Sequence, residues 1–191
     1  MSKIILTMIL AFTLGCYTSS SKYKEPNYNL IKKINNIEFR EYKSNIIIKT
    51  SKLESNNKEN NSLFRILANY IFGGNKNNEQ IPMTAPVLTH YSNNNYEMIF
   101  FILNKNSIDE LPKPNNKNIK LDNLNLNKTI SISFGMWANN NRINYYKNKL
   151  DKFIEDNSIN VDSNIIIAQY NSPWVLPPFR RNELIYKLKG I

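Results

Sequence analysis

Few side chains here can make or break bonds, and their spacing narrows the choice further. His90 is the single histidine and Cys16 the single cysteine. A hydrolytic nucleophile needs a neighbouring base to take its proton, normally an imidazole. No Gly-x-Ser-x-Gly elbow accompanies His90, so serine-hydrolase chemistry is disfavoured. Structural zinc draws on Cys and His at close spacing, which one of each, far apart, does not supply. Asp and Glu together number 15 and sit mostly in polar loops, which leaves little for paired-carboxylate glycoside chemistry. Gly73-Gly74 is the one glycine pair, and it follows a helical pattern where a phosphate loop would precede one. The residues therefore predict no enzyme. A site made of apolar surface and a few cations is what remains.

The elements that must position such a site can be read from periodicity. Ile37 and Phe39 alternate until Glu41, and Tyr42 and Ile46-Ile47-Ile48 follow, which predicts two short strands or one bent strand. In 62–72, Leu63, Ile66, Leu67, Tyr70 and Ile71 form one apolar helical face, closed by Gly73-Gly74. IPMTAPVLTHY, with two prolines, reads as an irregular or edge segment, and 96–103 as a strongly apolar strand. LPKPNN is a turn. The order then recurs, with a strand over 129–134 and a helix with Ile143, Tyr146, Leu150, Phe153 and Ile154 on one side. Strands at 165–170 and 184–188 follow, separated by NSPWVLPPFRRN. The expected fold class is α+β: a distorted β-barrel from two strand-helix-strand-strand repeats with two flanking helices, an arrangement that removes exposed edges.

Length and composition agree with one domain. The 191 residues suit a single core, and 11 Tyr and 9 Phe supply its bulk. The formal charge of +10 comes from Lys spread evenly among Asn and Ile, without the clustered cations of a nucleic-acid binder, so no nucleic-acid partner is expected. At the N-terminus, Lys3 precedes an uncharged run, 4–15, too short to span a bilayer as a helix, which needs roughly 20 residues. Residues 1–15 are read as a secretory signal peptide. Leu14-Gly15-Cys16 resembles the lipobox of bacterial lipoproteins, although Thr13 stands where that motif usually has Leu. The resemblance implies lipidation at Cys16, a tether over 16–27 and a domain over 28–191. The protein is then exported and lipid-anchored to a bacterial membrane, on the periplasmic or cell-surface side.

Four segments, in order from Ile37 to Leu188, resemble the SOUL haem-binding family: IEFREY, FRILANYIFGGN, IPMTAPV and AQYNSPWVLPPFRRNELIYKL. The resemblance implies the same barrel fold and a non-covalently held haem or other porphyrin. This tetrapyrrole lies against the first helix and near the loop before the last strand. Carried over, it implicates Phe64, Leu67 and Ile71, Met83, and Trp174, Arg180 and Arg181, with Arg65 as an added partner for a propionate. Other readings stay open. Leu67 and Ile71 also fit plain core, Trp174 a cap on the barrel, and Arg180 or Arg181 a solvated or Glu183-paired cation. His90 fits a surface strand-end residue as well as an iron ligand. The alternative function is a structural or protein-interaction module with this fold and no ligand.

Overall fold

The computed structural model describes residues 23–53, 60–92 and 95–190. Cys16 and the signal-like segment lie outside them.

Among the described residues, nine strands form one sheet: β1 (Tyr28–Ile34), β2 (Ile37–Tyr42), β3 (Asn45–Leu53), β4 (Val87–Ser92), β5 (Asn95–Ile102), β6 (Lys120–Leu124), β7 (Lys128–Phe134), β8 (Ile166–Gln169) and β9 (Asn182–Lys187). Their spatial order is β1-β2-β7-β9-β8-β4-β5-β3-β6, every neighbouring pair is antiparallel, and the sheet curls into a half-barrel. Two helices, α1 (Asn60–Ile71) and α2 (Asn140–Asp156), accompany it. Mixed α+β is thus the observed class.

Strand periodicity splits the core in two. On one face Ile46, Ile48, Met98, Phe100 and Ile102 meet Leu63, Leu67, Tyr70 and Ile71 of α1. Farther along the same face, Ile130, Ile132, Phe134, Leu184 and Tyr186 meet Leu150 and Ile154 of α2. The alternate residues Ile47, Leu88, Ile99, Phe101, Ile166, Ala168 and Ile185 pack on the opposite face. Each fully buried aliphatic of this kind contributes roughly 1.5–3 kcal/mol through apolar area removed from water.

Local signals hold these elements in place. Gly73, at φ +104°, ends α1 in a conformation open to few other residues, and a Cβ on Gly74 would fall 2.7 Å from the Asn69 carbonyl oxygen. Buried Asn75 then ties the turn, donating through Nδ2 to the carbonyls of Tyr70 (3.0 Å) and Glu79 (2.7 Å). The Asn139 side chain accepts from the Arg142 amide and caps α2. At the N-terminal end, residues expected to belong to a free tether are instead attached to the domain. Lys24 bridges Thr84, Tyr23 packs on the opposite-face core, and Glu25 pairs with Arg181 at 2.6 Å.

Candidate functional site

The helices do not cover the whole sheet. α1 packs on β3 and β5, and α2 on β7 and β9. The strands between, β4 and β8, lie side by side at the centre of the sheet. This strip is two strands wide, about 10 Å at roughly 4.8 Å per strand. Along it the opposite-face residues Leu88, Ile166 and Ala168 are buried, whereas Val87, Ile165, Ile167 and Gln169 on the helix side are only half-buried. Central strands are normally the best covered, so half-buried aliphatics there mark unfilled space.

That space is a groove of about 770 Å³, within the range of small-molecule sites. Its floor carries Val87, Thr89 and Tyr91 of β4, Tyr96 and Met98 of β5, and Ile165 and Ile167 at β8. Phe64 of α1 forms one wall, held edge-to-face on Phe100 with centroids 5.3 Å apart. Asn140, Ile143, Asn144 and Lys147 of α2, with Trp137 to Asn139 ahead of it, form the other. Asn171, Pro173 and Arg180 close one end. Aromatic and aliphatic walls with amides and two cations at the margin suit a flat apolar ligand bearing acidic groups.

Among the residues implicated from sequence, the groove brings together Phe64 and Arg180; His90 borders it from β4, with its imidazole turned to the opposite face 3.5 Å from Glu97, and the others lie elsewhere. Leu67 and Ile71 are 0% and 1% exposed beneath α1 and belong to the core. Met83 packs against that same cluster. Arg65 is exposed on α1 and does not line the groove. Trp174 is 92% exposed, which also rules out a barrel-capping role.

The two loop arginines have separate tasks. Arg180, 7% exposed, donates to the carbonyl oxygens of Ser172 (3.0 Å), Val175 (3.1 Å) and Asn171 (3.4 Å), and its guanidinium lies 4.1 Å from the Trp137 ring centroid. It clamps the 171–180 loop and braces one groove wall. Arg181 points elsewhere: it pairs with Glu25, stands 3.5 Å from Glu183 and covers the Tyr170 ring.

His90 sits within β4, not at its end, with its side chain 16% exposed. Burial pushes its pKa down, Lys49 adds to that, and Glu97, 3.5 Å away, only partly opposes it. The imidazole is therefore neutral at pH 7. The wall contributed by α2 went unforeseen, because Asn139, Asn140 and Asn144 read as loop and helix surface. Trp137, a large apolar residue between a glycine and an Asn run, was the available signal.

On the opposite face, charges are buried and paired. Arg40 donates to Glu183 at 2.6 and 3.0 Å and to the Tyr42 hydroxyl at 3.1 Å, and Tyr170 donates to Glu183 at 2.8 Å. Burial alone would lower the Arg40 pKa, but Glu183 outweighs it and keeps the guanidinium charged. Burial pushes the Tyr42 hydroxyl up to about 12, and that of Tyr170 well above its ordinary value.

A curled antiparallel sheet with two helices and a groove between them defines a mixed α+β domain. Residues 23–187 match the SOUL heme-binding protein family, and the chain belongs to it. That is a binding family, and membership suggests a haem or related tetrapyrrole ligand. The fold is similar to "a hydrolase from Listeria innocua" (TM-score 0.58, 8% identity, covering 83% of this chain and 94% of that one). It is also similar to the EcmrR C-terminal domain (TM-score 0.60, 13% identity, covering 86% and 99%). At such identities the likeness concerns fold alone. No curated protein sequence matches the chain.

Proposed function

We propose that the protein binds haem or a related tetrapyrrole, without catalysis, in the groove over β4 and β8. The observation that carries this reading is the half-buried apolar strip at the centre of the sheet, in a chain of the SOUL family. The ring would lie between Tyr91, Tyr96 and Met98 on one side and Trp137 and Ile143 on the other. Lys147, which is ion-paired with Asp151, would turn to the propionates together with the amides of Asn139 and Asn144, since charged donors to carboxylate are about twice as strong as neutral ones. Arg180 already serves three carbonyls and positions the loop. Bound haem iron would supply any redox chemistry, and the protein would supply an apolar slot and charge complementarity.

The finer architecture belongs to the same reading. Two strand-helix-strand-strand repeats are supported by matching orders, β3-β5-β4 on one side of the sheet centre and β7-β9-β8 on the other. Export and acylation at Cys16 rest on the Leu-Gly-Cys motif. With Tyr23 packed on the domain, six residues separate it from Cys16, and the seven chain steps between them reach at most about 25 Å. Mass spectrometry of protein extracted from its own membranes tests this, and an unmodified Cys16 contradicts it.

For the ligand, haemin titration of the purified chain should give a saturable Soret shift that an unrelated basic protein does not reproduce. Equal shifts in both proteins would overturn the reading.

A further inference from the structure

Two uncharged stretches meet at one end of the molecule. GMWA (135–138) and NSPWVLPPF (171–179) hold no Asp, Glu, Lys or Arg in a chain that has 40 of them, 25 basic plus 15 acidic. The Met136 amide donates to the Pro177 carbonyl at 3.1 Å, and Asn182 Nδ2 donates to the Met136 carbonyl at 2.9 Å, so the two loops form one tip. On it Trp174 is 92% exposed, Leu176 66%, Phe179 52% and Trp137 46%. These side chains are held outward. Arg180 is buried beneath the loop and donates to the backbone carbonyls of Asn171, Ser172 and Val175. An uncharged, aromatic-rich protrusion of this kind is costly to leave in water and fits a lipid interface, where tryptophan partitions at headgroup level.

We infer that this tip, Trp137 with Trp174, Leu176 and Phe179, docks the protein onto an anionic bilayer, with the mouth of the groove opening toward the lipid. Charge favours that occupant. The chain carries +10, and beside the tip Arg142 and Tyr145, in the first turns of α2, line a shallow hollow suited to a phosphate headgroup. Position favours it too. Trp137, Pro173 and Arg180 belong to the groove's own lining, so an apolar ligand could pass from membrane to groove without crossing water. The N-terminal segment enters at the same end, because Glu25 pairs with Arg181, the residue next to the clamp. In that last respect the inference rests on the anchored-binder reading, but the tip itself needs neither anchor nor haem.

The chain's own tryptophans report the result, since Trp137 and Trp174 are the only two. The full chain carrying Cys16→Ser, which removes any acyl anchor, is mixed with phosphatidylcholine vesicles with and without phosphatidylglycerol. The expected result is a blue shift of tryptophan emission on the phosphatidylglycerol vesicles, with quenching by brominated acyl chains. In the combined variant Trp174→Ser, Leu176→Ser, Phe179→Ser, the remaining Trp137 should lose both responses. Failure to bind, or co-sedimentation with unchanged emission, would overturn the inference. So would a shift that follows protein concentration without vesicles, which would make the occupant a second copy. Haemin binding is measured separately by its Soret band, so its survival or loss judges the ligand reading alone.

Discussion

The two faces of the central strands solve opposite problems with the same backbone. On one, Leu88, Ile166, Ala168 and Ile185 are closely packed, and the Arg40–Glu183 pair is enclosed by Tyr42 and Tyr170 with hydrogen bonds on both partners. On the other, Val87, Ile165 and Ile167 face about 770 Å³ of open groove. Residues one position apart on a strand thus belong to a closed scaffold or to an open site. A buried ion pair resists change because removal of one partner strands a charge in low dielectric. A groove tolerates change in stability terms, since its side chains are only partly packed, and registers it in binding. Stability and ligand affinity should therefore be separable by face.

Glu183→Ala is the severest way to break this comparison. It takes away two hydrogen bonds from buried Arg40, which keeps Glu38 at 2.7 Å as its remaining carboxylate, and one from Tyr170, and should cost about 3 kcal/mol in denaturant unfolding. Loss of less than about 1 kcal/mol would mean that water reaches Arg40. Ile167→Trp probes the other face by filling the groove. Haemin affinity should fall tenfold or more, worth about 1.4 kcal/mol, while unfolding free energy moves by no more than about 1 kcal/mol. Equal losses in both would merge the two faces into one.

His90 sharpens the boundary between them. Its folded pKa lies below that of the unfolded chain, so the unfolded state takes up a proton first as pH falls. Native stability should be unaffected above about pH 6.5, the unperturbed value, and decline as the pH drops from there toward the folded pKa. His90→Gln should remove that part of the acid slope, read from unfolding curves at successive pH values. The smallest effect belongs to Trp174→Ala. At 92% exposure it should change stability by less than about 0.5 kcal/mol and leave haemin affinity in solution unaltered.

Much of the scaffold was legible in the sequence because local periodicity encodes it. The apolar face of α1 and its glycine stop appear one residue from their expected end, and the strands around Phe100 and Ile132 fall where alternation or an apolar run placed them. β1 gave no such pattern, since six of its seven residues are exposed along a sheet edge. β6, KLDNL, was hidden because only its two Leu are apolar and none of its residues is fully buried. The site was less legible because it is defined by what the helices leave uncovered, a property of packing between distant segments. Helical spacing puts Phe64 at the edge of the apolar face that holds Leu67 and Ile71, and the docking of α1 buries those two and leaves Phe64 to the groove. The pairings of Arg40 with Glu183 and of Arg181 with Glu25 link residues more than a hundred positions apart, which no spacing rule reaches.

The central claim is that a tetrapyrrole occupies the strip over β4 and β8, and paramagnetic haemin tests it directly through methyl NMR. Signals of Met98, Ile143, Ile165 and Ile167 should broaden first as haemin is added, while those of Leu30 on β1 and Leu121 on β6, at the two ends of the strand order, stay sharp. Broadening that begins at the sheet ends and spares these four methyl-bearing residues would contradict the account.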